Sequence, residues 1–339
     1  MSYHKVFDPG RIHRMEGVEE DSQSPAADRR GALYFFSDRL ILAINVALVS
    51  GRPLLLVGPP GSGKSTVARH IAHRLNWRYY QETITSQTRA QELLYRLDLL
   101  KRLYEANSRE SLEKSSALTD WTRYLTPGIF WWAFRPEDAA KLSTPAIAQR
   151  KQDPRNQTQR LQPFIPRPGS HSPPGAVPAV VLLDEIDKAD PDVPNNLLQA
   201  LGRLEFEVQE LDIVVQVNAA EAPLIVITSN EERSLPDAFV RRCVVFRLAT
   251  PSESELLELA REFFAPTGFS VAQKTLCQRL VAEFMKLLVR TPGRKPSTAE
   301  LLDLVEIALQ WELTPDAPEL QQLLAATVVK DLSAPLEDT

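Results

Sequence analysis

The chain of 339 residues contains only two cysteines, Cys243 and Cys277, which lie far apart and outside any Cys-x-x-Cys pattern. This spacing gives no indication of a disulfide framework or a zinc site, and we expect both to be small buried residues. The five histidines lack acidic or cysteine neighbours at ligand spacing, so we assign them no metal chemistry. His70 and His73 are predicted to lie on the solvated face of a helix.

Long apolar runs are also missing. No stretch approaches the ~20 apolar residues of a membrane-spanning helix, and the first residues lack the apolar centre of a signal sequence. These absences favour a reduced, cytoplasmic protein with no membrane partner. Neither sign of charge dominates, because 39 Lys and Arg oppose 44 Asp and Glu and leave a net charge of −5. This balance argues against nucleic acid as the main partner.

The order of predicted elements indicates an α/β domain followed by helices. Residues 1–30 are polar and are predicted to form a tail, residues 31–249 a nucleotide-binding domain, and residues 250–339 a helical domain. Between about residues 143 and 178 there are eight prolines, five Lys or Arg and one acid, Asp153. Such a segment buries little apolar surface, so it is predicted to be a mobile insertion.

Apolar periodicity predicts the individual elements. Helices are expected over residues 37–50, 64–75 and 89–105. Strands are expected over residues 54–57, 79–84, 179–183, 204–208, 213–217, 224–228 and 244–247, with 204–208 and 213–217 forming a hairpin. Two Ser-x-x-Glu patterns, at Ser252 and Ser297, predict capping boxes at the start of later helices.

A glycine-rich loop after the strand at 54–57 fills every fixed position of the pattern G-x-x-x-x-G-K-[ST]. The loop and the residue after it are Gly58, Pro59, Pro60, Gly61, Ser62, Gly63, Lys64, Ser65 and Thr66. Glycines let backbone N–H groups turn toward phosphate oxygens, and the next helix adds its positive N-terminal dipole. We expect Lys64 to reach the β- and γ-phosphates and Ser65 to bind Mg²⁺. The pattern predicts nucleotide binding, and a plain glycine turn is the minor alternative.

Two adjacent carboxylates follow the apolar run at 179–183. Asp184 is predicted to hold Mg²⁺ through water, and Glu185 to polarise a water that attacks the γ-phosphate. Asn230 comes after the next apolar strand and is predicted to face the same phosphate, because ligands of parallel sheets bind at the carboxyl ends of strands. For Asp184 and Glu185, an exposed acidic loop is the weaker alternative. The pair Arg241 and Arg242 has two interpretations, as local salt-bridge formers or as a finger that reaches a neighbouring subunit's nucleotide.

Together these motifs resemble the AAA+ ATPases, and within them the MoxR-like group. The resemblance covers about residues 32–310 without the proline-rich insertion, and rests on the Walker motifs at 58–65 and 181–185, on Asn230 as sensor 1, and on the stretch 235–243. It implies an αβα P-loop NTPase core with a parallel five-stranded sheet in the order 5-1-4-3-2, and a C-terminal α-helical lid. It also implies a hexameric ring that binds ATP and Mg²⁺ between subunits.

By the same resemblance, Glu185 is the catalytic base and Arg241 or Arg242 acts in trans. The implied partners are further copies of the chain, a protein client that is remodelled, and a von Willebrand factor A domain protein. The chain departs from the family where Thr298 stands in place of the sensor 2 arginine. Arg294 or Lys295 could replace that arginine from one turn earlier.

Other function classes remain open at this stage. The chain could be a nucleotide-dependent switch or scaffold with little turnover, or a DNA-acting AAA+ motor or loader. A small-molecule kinase fits least, because it has no use for the paired carboxylates or the helical lid.

Two aromatic clusters each have two interpretations. Tyr34, Phe35 and Phe36 either close over an adenine or pack on the lid. Trp131 and Trp132 either grip a polypeptide from an exposed loop or pack on the core as part of a strand or hairpin, and the second is favoured.

Overall fold

The computed structural model describes residues 5–15, 33–107, 120–143, 177–218, 221–249, 251–264, 269–290 and 296–329. Nearly all of the predicted insertion, the second half of the predicted tail, and Arg294 and Lys295 lie outside the described residues.

The described residues form eleven strands and eleven α-helices. The strands are β1 (Ile12–Arg14), β2 (Leu33–Phe35), β3 (Leu54–Val57), β4 (Arg78–Thr83), β5 (Tyr95–Leu97), β6 (Leu125–Pro127), β7 (Ala179–Asp184), β8 (Glu205–Val208), β9 (Ile213–Gln216), β10 (Leu224–Ser229) and β11 (Val244–Arg247). The helices are α1 (Asp38–Ser50), α2 (Lys64–Leu75), α3 (Ala90–Leu94), α4 (Leu99–Asn107), α5 (Ile129–Phe134), α6 (Asp192–Arg203), α7 (Asp237–Val240), α8 (Glu253–Phe264), α9 (Val271–Arg290), α10 (Thr298–Gln310) and α11 (Glu319–Leu324). Within the described ranges, no helix is both long and apolar enough to cross a lipid bilayer.

The central sheet has five strands in the order β11-β3-β10-β7-β4. With these strands numbered along the chain, the order is 5-1-4-3-2, which confirms that prediction. β10 and β4 run parallel to β7. β11 runs parallel to β3, because the Val244 N–H donates to the Pro53 carbonyl and the Leu248 N–H to the Val57 carbonyl.

The middle of this sheet is buried. Residues 179–183 of β7 are fully buried, and residues 224–227 of β10 are at most 3% exposed. In the register of these two strands, Val226 lies opposite Leu182. Continuous apolar runs, rather than alternating ones, are typical of parallel strands with helices on both faces. The α/β fold with a helical C-terminal region is therefore confirmed.

The chain divides into two compact units. The first lies within residues 1–7, 42–56 and 71–246 and contains the central sheet except the last residues of β3 and β11. The second lies within residues 8–41, 57–70 and 247–339 and contains the β1–β2 ribbon, the glycine-rich loop and the C-terminal helices. The domain bounds expected from the sequence stay a prediction.

Both predicted capping boxes form in the second unit. The Glu300 N–H donates to the Ser297 hydroxyl at 3.3 Å, and the Ser297 N–H donates to the Glu300 carboxylate at 2.8 Å. Ser252 and Glu255 make the same exchange ahead of α8. The helices behind these caps pack around a shared leucine-rich core.

The prediction of a single helix over residues 89–105 is wrong. The chain forms α3, then β5, then α4 in this stretch. Tyr95 is extended, with φ −161° and ψ 161°, and β5 pairs antiparallel with β6. The Asp98 carboxylate then accepts the Lys101 N–H at 2.8 Å and starts α4. The partner strand lies much later in the chain, so local periodicity could not reveal this interruption.

Residues 5–15, which lie within the segment predicted to form a tail, are packed. Phe7 is fully buried, and its N–H and carbonyl bind the Asn45 side chain at 2.9 and 2.8 Å. β1 pairs antiparallel with β2. His70, expected on a solvated face, is fully buried, with its Nδ1 2.8 Å from Nδ1 of His13 in β1. The β1–β2 ribbon therefore covers the face of α2 that contains His70. From the sequence of α2 alone, this face was expected to contact solvent.

The tryptophan cluster packs on the core, as favoured, but as the helix α5 and not as a strand or hairpin. Trp131 is 1% exposed, and its ring centroid lies 5.8 Å from that of Phe206. Gly128 precedes this helix, and a Cβ there would lie 2.6 Å from the Leu93 backbone. Close approach to α3 thus requires glycine at this turn.

Both cysteines are buried, as predicted, and burial raises the pKa of each thiol to about 11.

Candidate functional site

The glycine-rich loop runs from the end of β3 to the start of α2. Gly61 and Gly63 have φ of +74° and +84°, in the left-handed region that side chains disfavour. A Cβ at Gly58 would lie 2.9 Å from the Leu248 carbonyl oxygen. These three positions need glycine for backbone reasons, and such tight turns are what a backbone phosphate cradle requires.

Lys64 is the buried cation of this loop. It is 5% exposed, and its Nζ donates to the carbonyls of Gly58 and Pro59 at 2.9 and 2.8 Å. The first turn of α2 contains no acidic residue, so the positive end of the helix dipole is not neutralised by its own side chains. Ser65 and Thr66 follow and are half-buried. A buried ammonium group beside a helix N-terminus fits a polyanionic ligand.

Tyr34 of β2 packs against this loop. A Cβ at Gly63 would lie 3.0 Å from Tyr34 Cε2, so the phenol ring occupies the space that a side chain would need. The ring also lies 5.6 Å from that of His70 and 4.8 Å from that of Phe36. Burial raises the pKa of Tyr34. Tyr34 and Phe36 therefore pack within the second unit, and their relation to an adenine stays a prediction.

Asp184 and Thr228 end neighbouring strands of the sheet. The Thr228 hydroxyl donates to Asp184 Oδ1 at 2.5 Å and accepts the Glu185 N–H at 2.8 Å. Thr228 is fully buried. Glu185 itself has φ 62° and ψ 48°, an unusual conformation for a residue with a side chain. Such strain is typical of functional sites, and the threonine fixes it here.

Asn230 approaches Glu185 from β10. Its Nδ2 donates to Glu185 Oε1 at 3.3 Å, and its backbone N–H donates to Asp187 Oδ2 at 3.1 Å. The Glu232 N–H donates to the same Asp187 oxygen at 2.9 Å. The predicted residues Asp184, Glu185 and Asn230 are thus brought together in the first unit. The loop residues belong to the second.

A comparison with known families matches residues 53–243 to the AAA domain (dynein-related subfamily). The chain belongs to this AAA family. The match includes the glycine-rich loop, the paired carboxylates, Asn230 and the two arginines, so the general recognition of an AAA+ ATPase is confirmed. The MoxR-like assignment is a finer statement and is taken up as a proposal below.

Individual relatives are more distant from this AAA protein. It is 24% identical over 179 residues to a Lon protease of Finegoldia magna, a match that covers 47% of the chain and 23% of that protein. It is also similar to a point mutant of Thermotoga maritima RuvB, with a TM-score of 0.38 and 14% identity over 80% of this chain and 68% of the other. The chain thus spans about a quarter of the length of the Lon protease that it matches.

Arg241 and Arg242 lie on the turn after α7 of this AAA domain. Both residues are exposed, and neither forms an ion pair with a described residue. Both interpretations of the arginine pair stay predictions. Thr298, at the sensor 2 position, is the first residue of α10 and is half-buried. The two basic candidates to replace the sensor 2 arginine lie outside the described residues.

Three functional neighbours were missed from the sequence. Thr228 lies near the end of β10 and Asp187 in the short 3-10 helix after β7, and neither stands out in the sequence. Thr228 anchors the Glu185 backbone, and Asp187 anchors the Asn230 backbone. Lys188 forms an ion pair with Glu185, with 2.6 Å between Nζ and Oε2. This hydrogen bond raises the pKa of Lys188. The only sequence signal for the Lys188–Glu185 ion pair was the i to i+3 spacing of their opposite charges in a short turn.

Within the described ranges, no group of three or more His, Cys, Asp and Glu side chains is arranged to hold a metal ion.

Proposed function

We propose that the chain is a MoxR-like AAA+ ATPase, which hydrolyses ATP in a hexameric ring and uses the energy to remodel a protein client. The observation that carries this proposal is the position of Glu185. Its carboxylate lies at the end of β7, next to Asp184, and accepts a hydrogen bond from Asn230 at 3.3 Å. A carboxylate beside a polar sensor is what activation of a hydrolytic water requires.

The phosphate-binding roles fall to the glycine-rich loop. Backbone N–H groups of residues 61–63, the Lys64 ammonium and the start of α2 bind the phosphates, whereas Pro59 and Pro60 have no N–H to donate. Ser65 and Asp184 are the residues that would hold Mg²⁺. The bound ion supplies charge neutralisation on the phosphates. Thr66 lines the loop behind Ser65.

Glu185 acts as the base. Its carboxylate takes a proton from the attacking water, and Asn230 orients that water and reports the state of the γ-phosphate. Thr228 holds the Glu185 backbone in its strained conformation, so this backbone does not need to reorganise during the reaction. Arg241 or Arg242 of a neighbouring copy stabilises the charge that develops in the transition state. Hydrolysis therefore depends on assembly.

Partners beyond the ring are a protein client and a von Willebrand factor A domain protein. Membrane and nucleic-acid partners are not part of this proposal.

The test is the ATPase rate per subunit, measured against protein concentration and together with the oligomeric state. We expect the rate to rise steeply as rings form. Glu185→Gln should assemble and bind ATP but lose at least about 100-fold in turnover, the typical contribution of a general base. Nucleotide binding without turnover at any concentration would refute the ATPase.

The second candidate is a nucleotide-dependent switch or scaffold with little turnover. The Lys188–Glu185 ion pair favours it, because a carboxylate held at 2.6 Å by an ammonium group is less available to a water. A stable complex whose assembly follows bound nucleotide, without hydrolysis, would establish this candidate. Stimulation by DNA that falls with salt would instead indicate a DNA-acting motor.

A further inference from the structure

Arg52 lies just before β3 and contacts the turn that carries the two exposed arginines. Its guanidinium donates to the carbonyl oxygens of Arg241 at 2.5 Å, Arg242 at 3.1 Å and Cys243 at 2.9 Å. All four residues belong to the first unit. Three consecutive carbonyls are thus bound by one side chain from a distant part of the sequence.

These carbonyls follow the short helix α7, where backbone oxygens have no helical partner. A guanidinium group is planar and presents its donors at fixed angles, so it binds three carbonyls only in one backbone arrangement. Its positive charge also suits the negative end of a helical turn. Arg52 therefore fixes the local backbone rather than merely adding charge.

The rest of the turn is anchored on both sides of the arginine pair. Phe239 is fully buried and Cys243 is 5% exposed, with its Sγ donating to the Phe239 carbonyl at 3.4 Å. The Val244 N–H then joins β3 at the Pro53 carbonyl, next to Arg52. Between these anchors Arg241 and Arg242 are exposed, and the Arg52 side chain binds their backbone carbonyls.

We propose that Arg52 is a positioning residue for the trans arginine finger. It orients the backbone at 241–243, so that the finger side chain reaches the nucleotide of the neighbouring subunit without further ordering. This inference rests on the proposed function, because it needs hydrolysis at an interface between copies. Arg52 acts on the neighbour's nucleotide and leaves its own subunit's site intact.

The first experiment compares ATPase rates of assembled wild-type protein, Arg52→Gln and Arg52→Lys. A finger contributes about 10³ to 10⁵ in rate. We expect partial disorder of the turn to lower turnover about tenfold or more in both variants, because the flexible lysine side chain lacks the planar, fixed donor geometry with which the guanidinium holds the three carbonyls. Affinity for a fluorescent ATP analogue should stay within about twofold of wild type. The control is Arg261→Gln, which removes the same charge from an exposed position on α8 and should leave the rate unchanged.

The decisive experiment mixes subunits. Arg52→Gln subunits have a sound nucleotide site and a misplaced finger, whereas Glu185→Gln subunits have a sound finger and an inactive site. Mixed rings should recover activity well above either variant alone, because some interfaces combine both sound halves. A mixture of Arg52→Gln with the double variant Arg52→Gln/Glu185→Gln should recover none.

Several results would overturn the inference. If wild type hydrolyses ATP and Arg52→Gln hydrolyses it equally fast, the positioning role is wrong while the proposed function stands. Low activity that mixing does not restore, together with weaker nucleotide binding, would mean that Arg52 supports only its own subunit's fold. If wild type shows no hydrolysis in any assembly, the proposed function fails, and the role of Arg52 fails with it.

Discussion

Nζ of Lys188 lies 2.6 Å from Oε2 of Glu185, while Asn230 binds the other oxygen of the same carboxylate at 3.3 Å. Both oxygens of the proposed base are therefore engaged by side chains of the same unit. The lysine competes with a water for this carboxylate, so we interpret the pair as a restraint on basal hydrolysis.

Replacing Lys188 tests this restraint. Half-exposed ion pairs contribute about 0.2–1 kcal/mol, so Lys188→Gln should raise basal turnover about 1.4-fold to fivefold. The hydrogen bond to Glu185 raises the pKa of Lys188, so the pair persists at neutral pH and is lost only as pH rises through that raised value. The increase should therefore be constant from about pH 6 to about pH 9. Slower turnover in Lys188→Gln would instead show that the lysine assists the reaction.

Thr228 gives a second prediction. Thr228→Val keeps the shape of the side chain but removes the hydroxyl that bonds Asp184 and the Glu185 N–H. A buried N–H without a partner costs about 1–3 kcal/mol, so we expect turnover to fall about tenfold and the Mg²⁺ requirement to rise. Thr228→Ser retains the hydroxyl and serves as the matched control. Equal Mg²⁺ titrations of the Val and Ser variants would contradict this role.

The third prediction concerns Gly61. Gly61→Ala introduces a Cβ at φ +74°, and that atom would lie 2.4 Å from Ser297 Cβ. The left-handed conformation alone costs a side chain about 1–2 kcal/mol, so nucleotide affinity should weaken about tenfold or more. Gly202→Ala is the control, because nothing lies within 4 Å of its new Cβ and it sits inside α6. That change should stabilise the fold by about 0.5–1 kcal/mol in thermal unfolding. Unchanged nucleotide binding in Gly61→Ala would show that the loop moves away from Ser297.

The cysteines give a fourth prediction. Because burial raises both thiol pKa values to about 11, little thiolate exists at pH 8 in the folded protein. Thiol reagents should therefore modify neither Cys243 nor Cys277 until the protein is unfolded, when both should react. Rapid modification of the native protein would mean that one of these residues becomes exposed in solution.

Much of the nucleotide-binding core was predictable because its signals are local. The bounds of α2 at residues 64 and 75 and of β11 at residues 244 and 247 agree with the sequence prediction. The sheet order followed from the family resemblance. The paired carboxylates and Asn230 were found because parallel strands bring their carboxyl ends to one edge.

What could not be predicted depends on contacts between distant parts of the chain. β5 interrupts a helical pattern because it finds a partner strand in β6. His70 is buried because a ribbon from the polar N-terminal segment covers it. Arg52 belongs to no recognisable sequence motif. Its proposed role follows only from its hydrogen bonds to the backbone carbonyls of residues 241–243, which are distant in sequence. None of these contacts leaves a periodic pattern in its own segment.

The most direct test of the proposed ATPase measures ATP binding and ATP hydrolysis in the same samples. These samples are wild type, Lys64→Ala and Glu185→Gln. The account predicts that Lys64→Ala loses both, and that Glu185→Gln binds ATP as tightly as wild type but does not hydrolyse it. Hydrolysis by Glu185→Gln at the wild-type rate would contradict the account.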